Sequence, residues 1–294
     1  MFARVSERLR IMTTPLAGSG ALITGGSGGF GAGIALRLAR DGAAVTLMGR
    51  TESTLKSVAE SVSSAVKDAP PVNWVVGDSA KEQDVARAVA VANQIPLRIC
   101  VCTVGGGTVA PVMSLENEVL SSDFERNVLT SLLAIRHSAA AMVPHGGGSI
   151  ICLSSTAGGY SFPFMGSYSI AKAALEALVR VAADELGALE VRVNAVRPGL
   201  VPTKAAKPGL IASNEKQREK VLREKPLTRM GTVDDIVEAV RYLAGPESSW
   251  VTGVVLPVEG GSHLRRAADL EILARSICGD DSIDRALRGQ LPAS

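Results

Sequence analysis

Short apolar runs rich in Val and Ile alternate along the chain with longer segments whose apolar residues recur at helical spacing. The runs Ala21–Thr24, Ala44–Met48, Asn73–Val76, Arg98–Val104, Ser149–Leu153, Val191–Val196 and Val254–Val258 predict strands covered on both faces. Between them, Phe30–Arg40, Glu52–Val66, Glu82–Gln94, Leu115–Met142, Ser167–Leu186 and Val233–Leu243 predict helices. Regular alternation of the two means βαβ units with right-handed crossovers. The expected class is α/β, a single doubly wound parallel sheet of about seven strands with helices on both faces.

No repeat or internal linker interrupts this pattern, so residues 20–262 read as one domain. Residues 1–19 read as a flexible arm, with Met12 an alternative start. Residues 263–294 read as a helical extension in which Ala267, Leu270, Leu273, Ala274 and Ile277 share one face. That helix either serves as a lid or subunit contact or docks on its own subunit.

Composition narrows the function classes. At 294 residues the chain fits one large α/β unit, and aromatics at 3% leave the core to Val, Ile, Leu and Ala. A net charge of +2, with no basic run, argues against nucleic acid as a partner. No apolar stretch reaches the roughly 18 residues of a membrane helix, and the N-terminus lacks a signal-peptide core, so the cytoplasm is the expected location. Cys100 and Cys102 point to one face of a strand, and they read either as a metal or redox pair or as small apolar core residues. The three histidines lack metal-ligand spacing, and no metal is expected.

The first strand runs into Thr24-Gly25-Gly26-Ser27-Gly28-Gly29-Phe30-Gly31 and then directly into a helix. Glycines allow φ > 0 in such a turn and let backbone N–H groups approach a pyrophosphate at the helix N-terminus. The second strand ends at Gly49-Arg50, without the acid that usually holds an NAD ribose. Gly49 leaves room for a 2′-phosphate and Arg50 offers a matching fork of donors, so NADP is expected ahead of NAD.

Tyr168 and Lys172, four residues apart on a predicted helix, share a face. A nearby ammonium favours a phenolate and so prepares a tyrosine for acid/base work. Ser155 stands thirteen residues earlier, just past the fifth strand, at the edge where parallel sheets hold ligands. Its hydroxyl either polarises a substrate carbonyl or caps a turn.

Taken together, these residues resemble the short-chain dehydrogenase/reductase family over roughly Ala21–Gly261, with a Rossmann-like sheet. The glycine turn, Asp78, Asn127, Ser155, Tyr168, Lys172, Arg192-Val193-Asn194, Pro198-Gly199, Thr203 and Val258-Glu259-Gly260-Gly261 keep the family's order and spacing. The resemblance implies a cofactor cradle at Gly25, Gly26, Ser27, Gly28, Gly29, Phe30 and Gly31, with Arg50, Asp78, Ser79 and Gly105 as further contacts. It implies that Tyr168 exchanges the proton, Ser155 holds the substrate oxygen, and Lys172 depresses the Tyr168 pKa and binds the nicotinamide ribose. Asn127 would anchor a water, and Val201 and Thr203 would hold the carboxamide. The Tyr–Lys spacing is that of carbonyl and alcohol chemistry rather than of the family's divergent enoyl reductases. Homo-dimers or homo-tetramers are implied as well.

One segment departs from the family. Cys102-Thr103-Val104-Gly105 replaces Asn-Asn-Ala-Gly, and Gly106 and Gly107 follow, which suggests a wider pocket beside the nicotinamide. Between Lys204 and Arg229 eight basic residues face three acids, where the family places a substrate lid. That excess reads either as attraction for an anionic substrate, such as an acyl-CoA or an acyl carrier protein, or as a solvated helix with pairs such as Glu219–Arg223 and Lys220–Glu224. The leading expectation is an NADP-dependent reductase of a small carbonyl compound or secondary alcohol dehydrogenase, including 3-oxoacyl thioesters. An NAD-dependent steroid or polyol dehydrogenase and a non-catalytic dinucleotide sensor or scaffold are the alternatives.

Overall fold

The computed structural model describes residues 14–203, 215–223, 225–265 and 270–291. Among these, seven strands form one parallel sheet: β1 (Gly20–Thr24), β2 (Ala44–Gly49), β3 (Asn73–Val76), β4 (Leu97–Cys102), β5 (Gly148–Leu153), β6 (Val191–Pro198) and β7 (Val255–Val258). Their spatial order is β3-β2-β1-β4-β5-β6-β7. The direction of travel reverses between β1 and β4, and a crevice for a ligand opens there, beyond the carboxyl ends of the strands.

Successive residues of the central strands serve opposite cores, whereas edge strand β3, expected to be covered on both faces, buries Val75 alone because no strand among the described residues lies on its outer side. Ala21 and Ile23 of β1 join α1 (Gly29–Arg40), α2 (Glu52–Ala65) and α8 (Val233–Ala244), whereas Leu22 faces α3 (Glu82–Ala92), α5 (Thr130–Met142) and α6 (Gly166–Gly187). Cys100, Cys102 and Cys152 belong to the second core, as small buried residues with free thiols. Burial on both faces explains why β1 reads as an unbroken apolar run.

The boundaries depart from expectation in three places. The single helix expected over Leu115–Met142 is α4 (Asn117–Phe124), a π turn at Glu125–Leu129, and then α5. Periodicity cannot reveal one extra residue in a helix, because the apolar stripe resumes one step later. The expected flexible arm is shorter than 1–19: Leu16 is buried and its N–H donates to Asp41 O at 2.9 Å. The extension holds two helices, α9 (Glu271–Cys278) and α10 (Asp280–Leu287), broken at Gly279 with φ 81°. Leu270, Ala274 and Ile283 are buried, but Ile277 is exposed, so the expected common face does not persist. Residues 1–13, Lys204, Lys207, Glu224, Ala267 and residues 292–294 lie outside the described residues, as do the side chains of Lys216 and Lys220. α7 (Glu215–Arg223) is the helix of the basic segment, and the expected Glu219–Arg223 pair is present at 3.6 Å. Arg229 grips Asp235 at 2.6 and 2.7 Å.

Candidate active site

Gly25, at φ 71°, turns the chain out of β1 and into α1. A β-carbon on Gly31 would run into the Gly25 carbonyl and the Gly26 Cα, so the helix can sit against the turn only with glycine there. The cap residue Gly28 supplies no side-chain bond, and the first turn of α1 carries no acid. The positive end of the helix therefore opens into a cleft of about 680 Å³ at the β1/β4 switch point. Gly25, Ser27, Gly28, Gly29, Phe30 and Gly31 line it. Gly26 does not: its N–H donates to Met48 O at 3.0 Å, and its Cα side meets Leu47, because this residue packs the turn onto β2.

Arg50 is exposed on the rim of the cleft and forms no hydrogen bond or ion pair with the described residues. Asp78 and Ser79 line the cleft just past β3, the strand paired with β2. The Asp78 N–H donates to Asp84 Oδ2 at 2.9 Å, and Asp78 Oδ1 accepts from Ala80 N at 3.0 Å, which fixes the carboxylate at the edge of the sheet. Val201 and Thr203 lie across from the turn, where a β-carbon on Gly29 would come within 3.3 Å of Thr203 Cβ. A hollow lined by glycine backbone, an uncapped helix end and an unpaired guanidinium suits a phosphorylated dinucleotide.

Thr103, standing where the family has asparagine, takes over the bracing of the sheet. Its hydroxyl donates to Thr24 O at 2.7 Å and lies 3.2 Å from Gly25 O, tying β4 to the glycine turn. Gly105 lines the cleft beside Lys172. Of the two added glycines, Gly106 lines the cleft, whereas Gly107 packs against Tyr168 so closely that a β-carbon there would overlap it.

Tyr168 and Lys172 project from α6 into the inner end of the cleft, and Ser155 meets them from the end of β5. The Ser155 hydroxyl caps the short turn Thr156–Gly158, accepting from Ala157 N at 3.2 Å, and lines the cleft beside Tyr168. The turn-capping role is present, on a side chain that also borders the cleft. Lys172 Nζ donates to Leu153 O at 2.7 Å and lies 5.7 Å from the Tyr168 ring centroid. Burial pulls the Lys172 pKa down to about 8, against the opposing pull of Cys152, Glu176 and Cys102. Burial pushes the Tyr168 phenol above its usual value, with Asp123 adding and the Ser155 hydroxyl opposing. The expected depression of the Tyr168 pKa by Lys172 is therefore absent from this arrangement: the ammonium is directed at the Leu153 carbonyl rather than at the phenol oxygen.

Asn127 is fully buried in the π turn and does not line the cleft. Its amide donates to Gly106 O at 2.8 Å and Asp123 O at 2.7 Å, placing it behind Gly105 and Lys172. The sequence reading missed Ser154, Glu176 and Arg197, which form a buried cluster beside Ser155. Two signals were available: Glu176 follows Lys172 by one helical turn, and Arg197 interrupts an apolar strand just before Pro198.

A doubly wound sheet with this cleft and this Ser–Tyr–Lys arrangement defines a class of nucleotide-dependent oxidoreductases. Residues 25–263 match a family model described as enoyl-(acyl carrier protein) reductase. An uncharacterized oxidoreductase of Mycobacterium tuberculosis is 38% identical over 244 residues, covering 82% of this chain and 90% of that protein. An Arabidopsis thaliana protein named NADPH-dependent aldehyde reductase-like, chloroplastic, is 30% identical over 262 residues, covering 84% and 95%. A solved short-chain type dehydrogenase/reductase from Mycobacterium ulcerans superimposes with a TM-score of 0.86 at 31% identity, covering 92% of this chain and 98% of that one. The chain belongs to the short-chain dehydrogenase/reductase family and is an oxidoreductase.

Proposed function

We propose that this protein is an NADP-dependent carbonyl reductase or secondary-alcohol dehydrogenase. The observation that carries the reading is the gathering of Ser155, Tyr168 and Lys172 in the same cleft as the glycine turn. Bound NADP would supply or accept the hydride. Ser155 Oγ holds the substrate oxygen, and Tyr168 Oη donates the proton to it during reduction and takes it back during oxidation. Lys172 and Asn127 hold the floor on which the phenol sits. Gly25, Ser27 and Gly28–Gly31 take the pyrophosphate, Asp78 and Ser79 the adenine end, Gly105, Val201 and Thr203 the nicotinamide end, and Arg50 the 2′-phosphate. The absence of a competing partner for Arg50, and the name of the Arabidopsis relative, support NADP over NAD. The four-residue Tyr168–Lys172 spacing together with Ser155 supports carbonyl over enoyl reduction.

Residues 20–262 act as the catalytic domain and residues 263–294 as an appendage docked beside it, in a cytoplasmic homo-oligomer. In the basic segment Arg223 and Arg229 face carboxylates and Lys225 is buried, and the substrate is a carbonyl compound or secondary alcohol, a 3-oxoacyl thioester included. NADPH oxidation with ketones, aldehydes and 3-oxoacyl thioesters, compared with Tyr168→Phe, tests the reading. Loss of turnover on the order of 10²-fold or more is expected, with dinucleotide binding kept. A Tyr168→Phe variant as active as the parent would end it.

A further inference from the structure

Three consecutive residues at the end of β5 face three residues spaced one turn apart on α6. Lys172 takes the Leu153 carbonyl, Glu176 takes the Ser154 hydroxyl at 2.7 Å, and Tyr168 stands beside Ser155 in the cleft. Glu176 is the one rung with no contact to the reacting groups, and it is 3% exposed. Its carboxylate is gripped on its other side by Arg197 of β6, with Nε at 2.9 Å from Oε1 and Nη2 at 2.6 Å from Oε2. The Thr156–Gly158 turn folds over this pair with little clearance. A β-carbon on Gly158 would lie 2.8 Å from Glu176 Oε1 and 3.0 Å from Ser154 Oγ, and one on Gly159 would overlap the Arg197 guanidinium. Tyr160 closes the cluster, its ring centroid 5.7 Å from Arg197 Cζ.

An ion pair with Glu176 buried and Arg197 half-buried is a poor source of stability, because desolvation offsets much of its attraction. What a bidentate pair supplies is fixed geometry. Here the fixed element is a two-residue reach from the carboxylate, through Ser154, to the hydroxyl that faces the phenol. We propose that Glu176, clamped by Arg197, is a positioning residue for the reaction: acting through Ser154, it sets the Ser155 hydroxyl against Tyr168. This deepens the oxidoreductase reading above and rests on it for its effect on turnover.

The chain has three tyrosines, so protein labelled at tyrosine Cζ gives a spectrum in which Tyr168→Phe identifies the Tyr168 resonance. Ser155→Ala then defines the shift caused by loss of the hydroxyl partner. Glu176→Gln, which keeps the shape and removes the charge, is expected to move the Tyr168 resonance in the same direction by at least about half as far. It is expected to lower kcat about tenfold or more, with KM for NADPH within about twofold. Ser154→Ala, a milder change that leaves the ion pair whole, is expected to give the same shift, and the double variant no more than either single one. If the Tyr168 resonance stays at its parental position in both Glu176→Gln and Ser154→Ala, the proposal is overturned. A fall in kcat that only follows the folded fraction overturns it too. The resonance is read without substrate, so a parent protein inactive toward every carbonyl would refute the assigned reaction and leave this test standing.

Discussion

A β-carbon on Gly105 would stand 2.9 Å from Nζ of Lys172 and 2.8 Å from Oδ1 of Asn127. Glycine at this position lets the strand end pass close beside Lys172 where both line the cleft. Two buried polar groups, each held by its own hydrogen bonds, cannot yield without losing them. Gly105→Ala is therefore expected to lower kcat by on the order of tenfold to a hundredfold. Steady-state rates measured beside a thermal melt decide this, and an unchanged kcat would mean that Lys172 moves aside freely.

Arg50 stands unpaired at the rim where a 2′-phosphate would rest. A charge-assisted fork contributes roughly 1.5–3 kcal/mol, so Arg50→Ser is expected to lower the NADPH-over-NADH ratio of kcat/KM by about tenfold to a hundredfold. Arg50→Asp should lower it further by repulsion. An unaltered ratio in both variants would remove Arg50 from the account of specificity.

Lys172 gives a signed pH dependence. Its pKa is about 8 when folded, against an ordinary value of 10.5, so between these limits the unfolded chain holds a proton that the folded chain has shed. Stability then rises with pH across this window. The parent should gain on Lys172→Met in denaturant unfolding as the pH rises from 8 toward 10. Parallel curves for the two proteins would show that the lysine titrates normally.

Thr103 ties β4 to the turn after β1 through its hydroxyl and through its backbone N–H, which donates to Thr24 O at 3.1 Å. Thr103→Val keeps the shape and the N–H bond but removes the hydroxyl donor, which should cost about 1 kcal/mol. Cofactor affinity should weaken alongside, since Gly25 shares the contact. A denaturant midpoint equal to the parent's would place the bracing elsewhere.

Much of this was readable before any coordinates. The order of strands and helices followed from periodicity, since the central strands are buried on both faces and the helices on one, and even edge strand β3, with only Val75 buried, keeps a short apolar run. Tyr168 and Lys172 could be paired because helical spacing alone puts them on a common face. What stayed hidden depends on contacts between distant segments. The role of Thr103 needs Thr24, seventy-nine residues earlier. The closeness of Gly107 to Tyr168 is another such contact. The direction of the Tyr168 shift could not be read either, because burial and the aim of the Lys172 ammonium are properties of the folded cleft.

The π turn at Glu125–Leu129 also bears on how this segment tolerates changes in length. One residue more than a regular turn is taken up inside the π turn, so α4 and α5 keep a common helical phase. Deleting a residue at 125–129 would let them join as one regular helix with that phase kept, so Leu133 would stay in the core and the loss would fall on Asn127 and its bond to Gly106. A deletion within α5 itself would instead turn its far end by about 100°. In a deletion scan, folded variants should be found at 125–129 and in the loop between Ala65 and Val72, and be missing from 131–141.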